Sequence, residues 1–260
     1  MKDNPLTLNL DTELNRIQQH IKTVLAKTGF HNVILGVSGG IDSATSLYLL
    51  RSSIPAEHIF VVHFPYFENF TSYFQETIKD LGLPKKNVLL SPIKSVVDAI
   101  AAKQQLSDPQ TADDKLRLGN IMARVRMTLL YDLAKKHDAL VCGTENKTEN
   151  YLGYFTRFGD AASDFEVINH LYKTQVRELA AHLKVPQKII DVSPTAGLWE
   201  GQTDEKELGF SYEEADQVLF QYFEKKIPLV ELQKDFPTAT QIVETAQKNA
   251  FKQEVPYLIK

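Results

Sequence analysis

The sequence predicts an α/β fold built on a doubly wound parallel sheet, and three observations predict it. Four short apolar runs without alternation, Val33–Val37, Ile59–Val62, Asn87–Leu90 and Ala139–Cys142, have the character of strands covered on both faces. Stretches long enough for a helix separate them, so strand and helix repeat in turn. The 260 residues, 43% of them apolar, suffice for a large core without disulfides or structural metal, and one domain is expected.

At the amino end, Leu10, Leu14, Ile17, Ile21 and Val24–Leu25 recur at three- and four-residue steps, predicting an amphipathic helix over about Leu8–Thr28 that Gly29 ends. After the first strand a helix begins near Ser43, with Ala44, Leu47 and Leu50 inward. Ser107–Lys115 (SDPQTADDK) reads as a mobile polar connector into the longest helix, about Leu116–His137. Ile121, Val125, Leu129 and Leu133 make one stripe on that helix, and Ala123, Met127, Leu130 and Ala134 a second beside it. So wide an apolar face fits either a helix-to-helix dimer contact or a central core helix. Gly143–Asp164 and Ser193–Gly209, the latter with the lone Trp199, read as long irregular loops, and such loops suggest a lid. Helices near Lys173–Leu183, Ser211–Phe223, Pro228–Phe236 and Thr238–Ala250 complete the chain.

Composition removes whole classes of function. Lys plus Arg number 29 against 33 Asp plus Glu, a formal charge of −4, where a protein living on nucleic-acid phosphates carries the opposite balance. A single cysteine, Cys142, excludes internal disulfides, cysteine-rich zinc sites and two-cysteine redox chemistry. The start, MKDNPLTLNLDTEL, lacks the pattern of a secretory signal, and no apolar run is long enough to span a membrane. A cytoplasmic location is expected, with no nucleic-acid or membrane partner.

The strongest local signal is Gly36-Val37-Ser38-Gly39-Gly40-Ile41-Asp42-Ser43, joining a strand to a helix. Glycines let successive N–H groups point into one hollow, and the helix start adds partial positive charge, which makes an anion cradle suited to phosphate. A Walker loop is excluded because no Gly-Lys-Ser/Thr ends the run, and the Rossmann glycine spacing is missing. Gly36-Val37-Ser38-Gly39-Gly40 does satisfy the nucleophile-elbow pattern, but no earlier strand precedes it to complete an oxyanion hole. Asp42 stands out, since a carboxylate beside phosphate repels it unless a cation lies between. It is read either as a helix cap or as a Mg²⁺ ligand, the latter requiring a second acid on the same rim.

This loop resembles that of the N-type ATP pyrophosphatases, which cleave ATP between its α and β phosphates. Gly119–Arg124 (GNIMAR), Gly143-Thr144 through Glu149, Tyr154–Asp160 (YFTRFGD), Pro194-Thr195-Ala196 and Gly201–Gly209 (GQTDEKELG) narrow the resemblance to NAD synthetase, from about residue 10 to the carboxyl end. The resemblance implies an adenine nucleotide alpha hydrolase-like sheet with extra C-terminal helices, residues 1–260 forming a single domain without a glutaminase domain. It implies that Gly36, Val37, Ser38, Gly39, Gly40, Ile41, Asp42 and Ser43, with Thr144, Lys173 and Thr195, bind the co-substrate ATP. Asp42 and Glu149 would hold Mg²⁺; Arg124, Arg157, Asp164 and Lys252 would contact deamido-NAD; Asp42 and Lys173 would be catalytic; and the family is homodimeric. Bland readings stand beside these: a surface ion pair for Arg124, a solvated acid for Glu149, a small core residue for Cys142.

The implied reaction is ATP-dependent amidation of deamido-NAD to NAD through an acyl-adenylate, with ammonia as nitrogen donor and AMP and pyrophosphate released. Asp164 is a candidate for the base that deprotonates ammonium. Another ligase of the same superfamily, or a nucleotide-binding module without turnover, are the alternatives. Arg157 in place of the common lysine, Ala161-Ala162 for Gly-Gly, Phe251 for histidine and His63 for arginine depart from the family pattern.

Overall fold

A computed structural model describes residues 6–67, 71–195 and 203–254. Helix α1 spans Leu10–Thr28: the Asn9 side chain accepts from the Thr12 N–H, and Gly29 closes the helix in the left-handed region at φ 77°. Strand β1 (Asn32–Gly36) leads to α2 (Ile41–Ser53), β2 (Ile59–His63), α3 (Thr71–Ile78), β3 (Val88–Leu90), α4 (Lys94–Lys103) and α5 (Ala112–Lys136). Strand β4 (Ala139–Gly143) follows, then α6 (Lys147–Leu152), β5 (Phe165–Glu166) and α7 (Lys173–His182). The chain continues through α8 (Gln187–Ile190), α9 (Asp204–Leu208), α10 (Tyr212–Leu219), α11 (Leu229–Asp235) and α12 (Ala239–Asn249).

The five strands form one sheet in the order β3-β2-β1-β4-β5, every pair parallel. The non-alternating strand runs have their explanation in the packing. Val33, Leu35 and Val37 enter a core with Ile17 and Ile21 of α1, Leu47 of α2 and Val176 of α7. Ile34 of the same strand faces the opposite core, with Val97 of α4 and Met122 and Val125 of α5. Both faces are dry, so both parities must be apolar. A third core lies beyond the sheet, where Leu152 of α6 packs against Val218, Leu219, Ile242 and Val243 of the C-terminal helices.

Strand order reverses between β1 and β4, because the chain winds outward through β2 and β3 and then crosses back. The carboxyl ends of β1 and β4 are therefore splayed neighbours, the place where open α/β sheets take ligands. The phosphate loop leaves β1 there, and Thr144–Glu149 leaves β4 beside it.

Four sequence expectations need correction, the first being that Ser193–Gly209 is all loop, since it contains α9 at Asp204–Leu208. The connector Ser107–Lys115 is not all loop: α5 begins at Ala112, because Thr111 caps it by accepting from the Asp114 N–H at 3.1 Å. Gly143–Asp164 contains α6, closed by an Asn146/Glu149 capping box, and opens into β5, which the reading missed because it is two residues long. The helix read over Ser211–Phe223 turns into a π-helical segment at Phe220–Glu224. Trp199 lies outside the described residues.

Candidate active site

The phosphate loop is built before any ligand arrives. The Val37 N–H donates to the Val62 carbonyl, continuing the strand ladder past Gly36. The Ser43 hydroxyl then holds the turn: it accepts from the Ser38 N–H at 3.2 Å, lies 3.1 Å from the Ser38 hydroxyl and donates to the Gly40 carbonyl. Gly39 sits at φ 96°, where a side chain is strained. No side chain caps α2, so the first-turn N–H groups face the hollow with their share of the helix dipole.

Asp42, in that first turn, does not cap the helix. Its Oδ2 lies 2.5 Å from Lys173 Nζ, and its Oδ1 accepts from Asn146 Nδ2 at 3.0 Å. The same Lys173 ammonium reaches Glu149 Oε1 at 3.0 Å. The two carboxylates assigned to metal thus share one rim, clasping a single buried cation. Burial alone would depress the Lys173 ammonium, but Asp42 and Glu149 outweigh it and raise its pKa, so the lysine is charged. Burial pushes the Glu149 carboxyl up to about 8 despite Lys173. Lys173 neutralises Asp42, and Glu149, held up by burial, would ionise as a divalent cation approached, so the pair would supply it with oxygen ligands. Among the described residues no trio of His, Cys, Asp or Glu is arranged to hold a metal; such an ion would rest on these two carboxylates and on the ligand.

A second layer holds the first in place. Asp216, fully buried on α10, accepts from the Thr148 hydroxyl at 2.5 Å and from the Thr174 N–H and hydroxyl at 2.8 and 2.7 Å. The Thr148 hydroxyl accepts in turn from the Lys173 N–H. One carboxylate thereby ties the start of α6, which carries Glu149, to the start of α7, which carries Lys173. The Tyr212 ring lies under the Lys173 ammonium, 5.0 Å from centroid to Nζ, and its hydroxyl donates to Asp204 at 2.9 Å. Sequence reasoning missed Asn146, Asp204, Tyr212 and Asp216. Asn146 was signalled by its capping pattern three residues before Glu149 and Asp204 by its place in GQTDEKELG; Tyr212 and Asp216 sit on a helix distant in sequence, with no local sign.

The other expected residues divide into two groups. Arg124 Nη2 donates to the Arg157 carbonyl, and Arg157 Nη2 to the Glu254 carbonyl, so both guanidinia share one corner with Lys252. Phe158 and Phe251 flank the Arg157 guanidinium at 5.2 and 5.8 Å, which accounts for two departures together, because a planar guanidinium stacks on aromatic rings where an ammonium does so less well. Lys252 Nζ donates to the Gly153 and Phe155 carbonyls. Asp164 lies elsewhere, clamping β5 to β4: its Oδ2 accepts from the Val141 N–H at 2.7 Å, and its own N–H returns to the Val141 carbonyl. Thr144 follows β4 at the crevice, and Thr195 is the last described residue before 203. The alanines at 161 and 162 need no glycine, since positive φ falls on Phe158 instead. His63 Nδ1 lies 2.7 Å from the Val37 carbonyl with its ring stacked on Phe74, and burial lowers its pKa.

Comparison with known proteins places the chain in a family. The NAD synthase family model matches residues 13–256. The chain belongs to the NAD synthase family. It is 37% identical to the NH(3)-dependent NAD(+) synthetase of Fusobacterium nucleatum, over 99% of this chain and 98% of that protein. Among solved NAD synthase relatives, the NMN synthetase of Francisella tularensis superposes with a TM-score of 0.81 at 29% identity, covering 98% of this chain and all of that one. The NH3-dependent NAD synthetase of Campylobacter jejuni gives 0.79 at 29% identity, covering 97% and 100%.

Buried acids give this NAD synthase a pH signature. Burial raises Glu166 from an ordinary 4.5 to about 7, against help from the Ser163 hydroxyl. The folded chain therefore keeps a proton that the unfolded chain releases, and its stability falls as pH rises from about 4.5 to about 7. Urea midpoints of wild type and Glu166→Gln across that window should show the slope reduced in the variant.

Proposed function

We propose that this ligase synthesises NAD from deamido-NAD, ATP and ammonia through an acyl-adenylate. The observation that carries the reading is the Asp42–Lys173–Glu149 clasp beside an uncapped helix start. The phosphate loop receives the triphosphate on main-chain N–H groups, and Lys173, held charged, faces the α-phosphate, where negative charge accumulates as the nicotinate carboxylate attacks. Asp42 and Glu149 would hold Mg²⁺, which supplies charge shielding for the triphosphate. Arg124 and Arg157 receive the dinucleotide phosphates, and the stacked Arg157 fixes one guanidinium plane. Thr144 and Thr195 complete the ATP site, and Lys252 borders the dinucleotide site; Asp164 serves it by holding β5 against β4.

Ammonia is the nitrogen donor. Cys142, the chain's one cysteine, is fully enclosed, and burial drives its thiol well above the ordinary range, so it offers no thiolate for releasing ammonia from glutamine. Residues 13–256, which match the NAD synthase model, serve as one ligase domain. Exposed Leu116 and half-buried Ile121, Leu129 and Leu133 on α5 support homodimerisation through that helix. No described helix is long and apolar enough to cross a membrane. The cytoplasm is the compartment we assign, supported by the lone cysteine.

The test is pyrophosphate release from Mg-ATP and deamido-NAD, followed by NAD formation on adding ammonium. Wild type should perform both; Asp42→Asn should lose about a hundredfold or more of pyrophosphate release, measured at a temperature where its circular dichroism shows it folded. Nucleotide binding without pyrophosphate release in wild type would leave a binding module instead. The assay is repeated with the deamido form of NMN, because the Francisella relative is an NMN synthetase. Faster turnover of that mononucleotide would reassign the substrate and leave the chemistry intact.

A further inference from the structure

The reaction consumes ammonia, which reaches the enzyme mostly as ammonium, yet no residue of the clasp is free to take a cation's proton. Asp164, the candidate from sequence, spends one carboxylate oxygen on the Val141 N–H. A different group of acids lies at the end of β4. Glu145 follows Thr144 directly and is 8% exposed, with its Oε1 buried and without a hydrogen-bond partner. Glu166, on β5, folds back over the same strand end, so close to Gly143 that a Cβ there would stand 1.8 Å from its Oε1. The Ser163 hydroxyl donates to that oxygen at 2.8 Å, while Oε2 is buried and unpartnered. Asp160 is the third acid acting on Glu145, and the Thr156 N–H donates to its Oδ1 at 2.8 Å.

The cations facing this group do not balance it. Arg126 bears on Asp160 and donates its Nε–H to the Phe64 carbonyl. Lys252 bears on Glu145 and Asp160, but its ammonium already donates to two carbonyls. Glu149 adds further negative potential at Glu145. Two buried carboxyl oxygens therefore point at nothing, in a place that attracts a small cation with N–H donors. The place is also apt: Glu145 precedes Asn146, whose amide holds Asp42, and Asp160 belongs to the segment that carries Arg157.

We propose that Glu145 and Glu166, with Asp160 beside them, form the binding site for ammonium, and that Glu145 accepts the proton that converts it to ammonia. The inference rests on the ammonia-dependent reading above. One N–H bond of ammonium breaks and one O–H bond forms on Glu145. The freed lone pair forms the C–N bond to the acyl carbon as the C–O bond to AMP breaks, AMP leaving with that electron pair. The surplus proton of the new amide passes to Glu166. Burial and neighbouring acids push Glu145 up to about 9, so its carboxyl ionises as a cation enters beside it and is basic enough to take a proton back from that cation.

The test measures steady-state NAD formation against ammonium chloride, with choline chloride holding ionic strength, for wild type, Glu145→Gln and Glu166→Gln. Each variant should raise the KM for ammonium about tenfold or more, while pyrophosphate release and the KM values for ATP and deamido-NAD stay within about twofold. Hydroxylamine, uncharged in mildly alkaline buffer, should serve wild type and variants within about twofold, because it needs neither a cation site nor prior deprotonation. An unchanged ammonium KM, or an equal loss with hydroxylamine, overturns the proposal. A second readout needs no variant: ammonium chloride should raise the Tm of wild type above matched choline chloride, and no rise counts against the site. Failure of wild type to release pyrophosphate with deamido-NAD would instead sink the functional reading, and the Tm comparison would still judge the cation site.

Discussion

Lys173→Met should abolish useful adenylation, slowing single-turnover pyrophosphate release by about a hundred- to a thousandfold. It should also cost about 3–5 kcal/mol of stability, because it leaves two enclosed carboxylates facing each other without their cation. The two losses separate by measurement. Adding Glu149→Gln to Lys173→Met removes one of the stranded charges and should recover part of the urea midpoint, while pyrophosphate release stays low. The stability deficit of the single variant should be smaller in mildly acid than in alkaline buffer, since Glu149, pushed up by burial, holds a proton there instead of repelling its neighbour. A Lys173→Met enzyme as stable and as fast as wild type would mean that the clasp plays no part in folding or chemistry.

Gly143→Ala should displace a buried acid, though it adds only a methyl group. The added Cβ would lie 1.8 Å from Glu166 Oε1 and 2.3 Å from its carboxyl carbon, inside any contact real atoms make. The overlapping atoms are the far end of a flexible side chain, so Glu166 must swing aside and give up the Ser163 hydroxyl, and we expect a loss of about 1 kcal/mol, read from urea midpoints. Gly143→Ala combined with Glu166→Ala should restore most of it, because the obstructing carboxylate is gone. Gly143 is not held by backbone strain, since it is absent from the glycines with positive φ. The steric requirement belongs to its neighbour. Failure of the double variant to recover stability would show that the overlap is relieved some other way.

Much of the architecture was legible locally because it is locally caused. The four apolar runs became β1 to β4 within a residue or so; β1, β2 and β4 are enclosed on both faces and leave little room for a polar side chain, while edge strand β3 is only partly covered. The phosphate loop was legible for a similar reason: its turn depends on glycines and two serines within eight residues of one another. Strand β5 was missed because two residues carry no periodicity. Helix α6 was missed because its glycine-punctuated surroundings outweighed a capping pattern already present in the sequence.

The sequence by itself determined the phosphate cradle, the sheet and the family resemblance, because contiguous residues set backbone turns, burial pattern and motif spacing. The tertiary structure alone decided which charges meet. Asp42, Asn146, Glu149 and Lys173 come from three helix starts and a strand exit up to 131 residues apart, and Asp216 aligns two of them from a fourth helix. Electrostatic partnership depends on distance through space and on the exclusion of water. Neither is written into the order of residues until the helices pack.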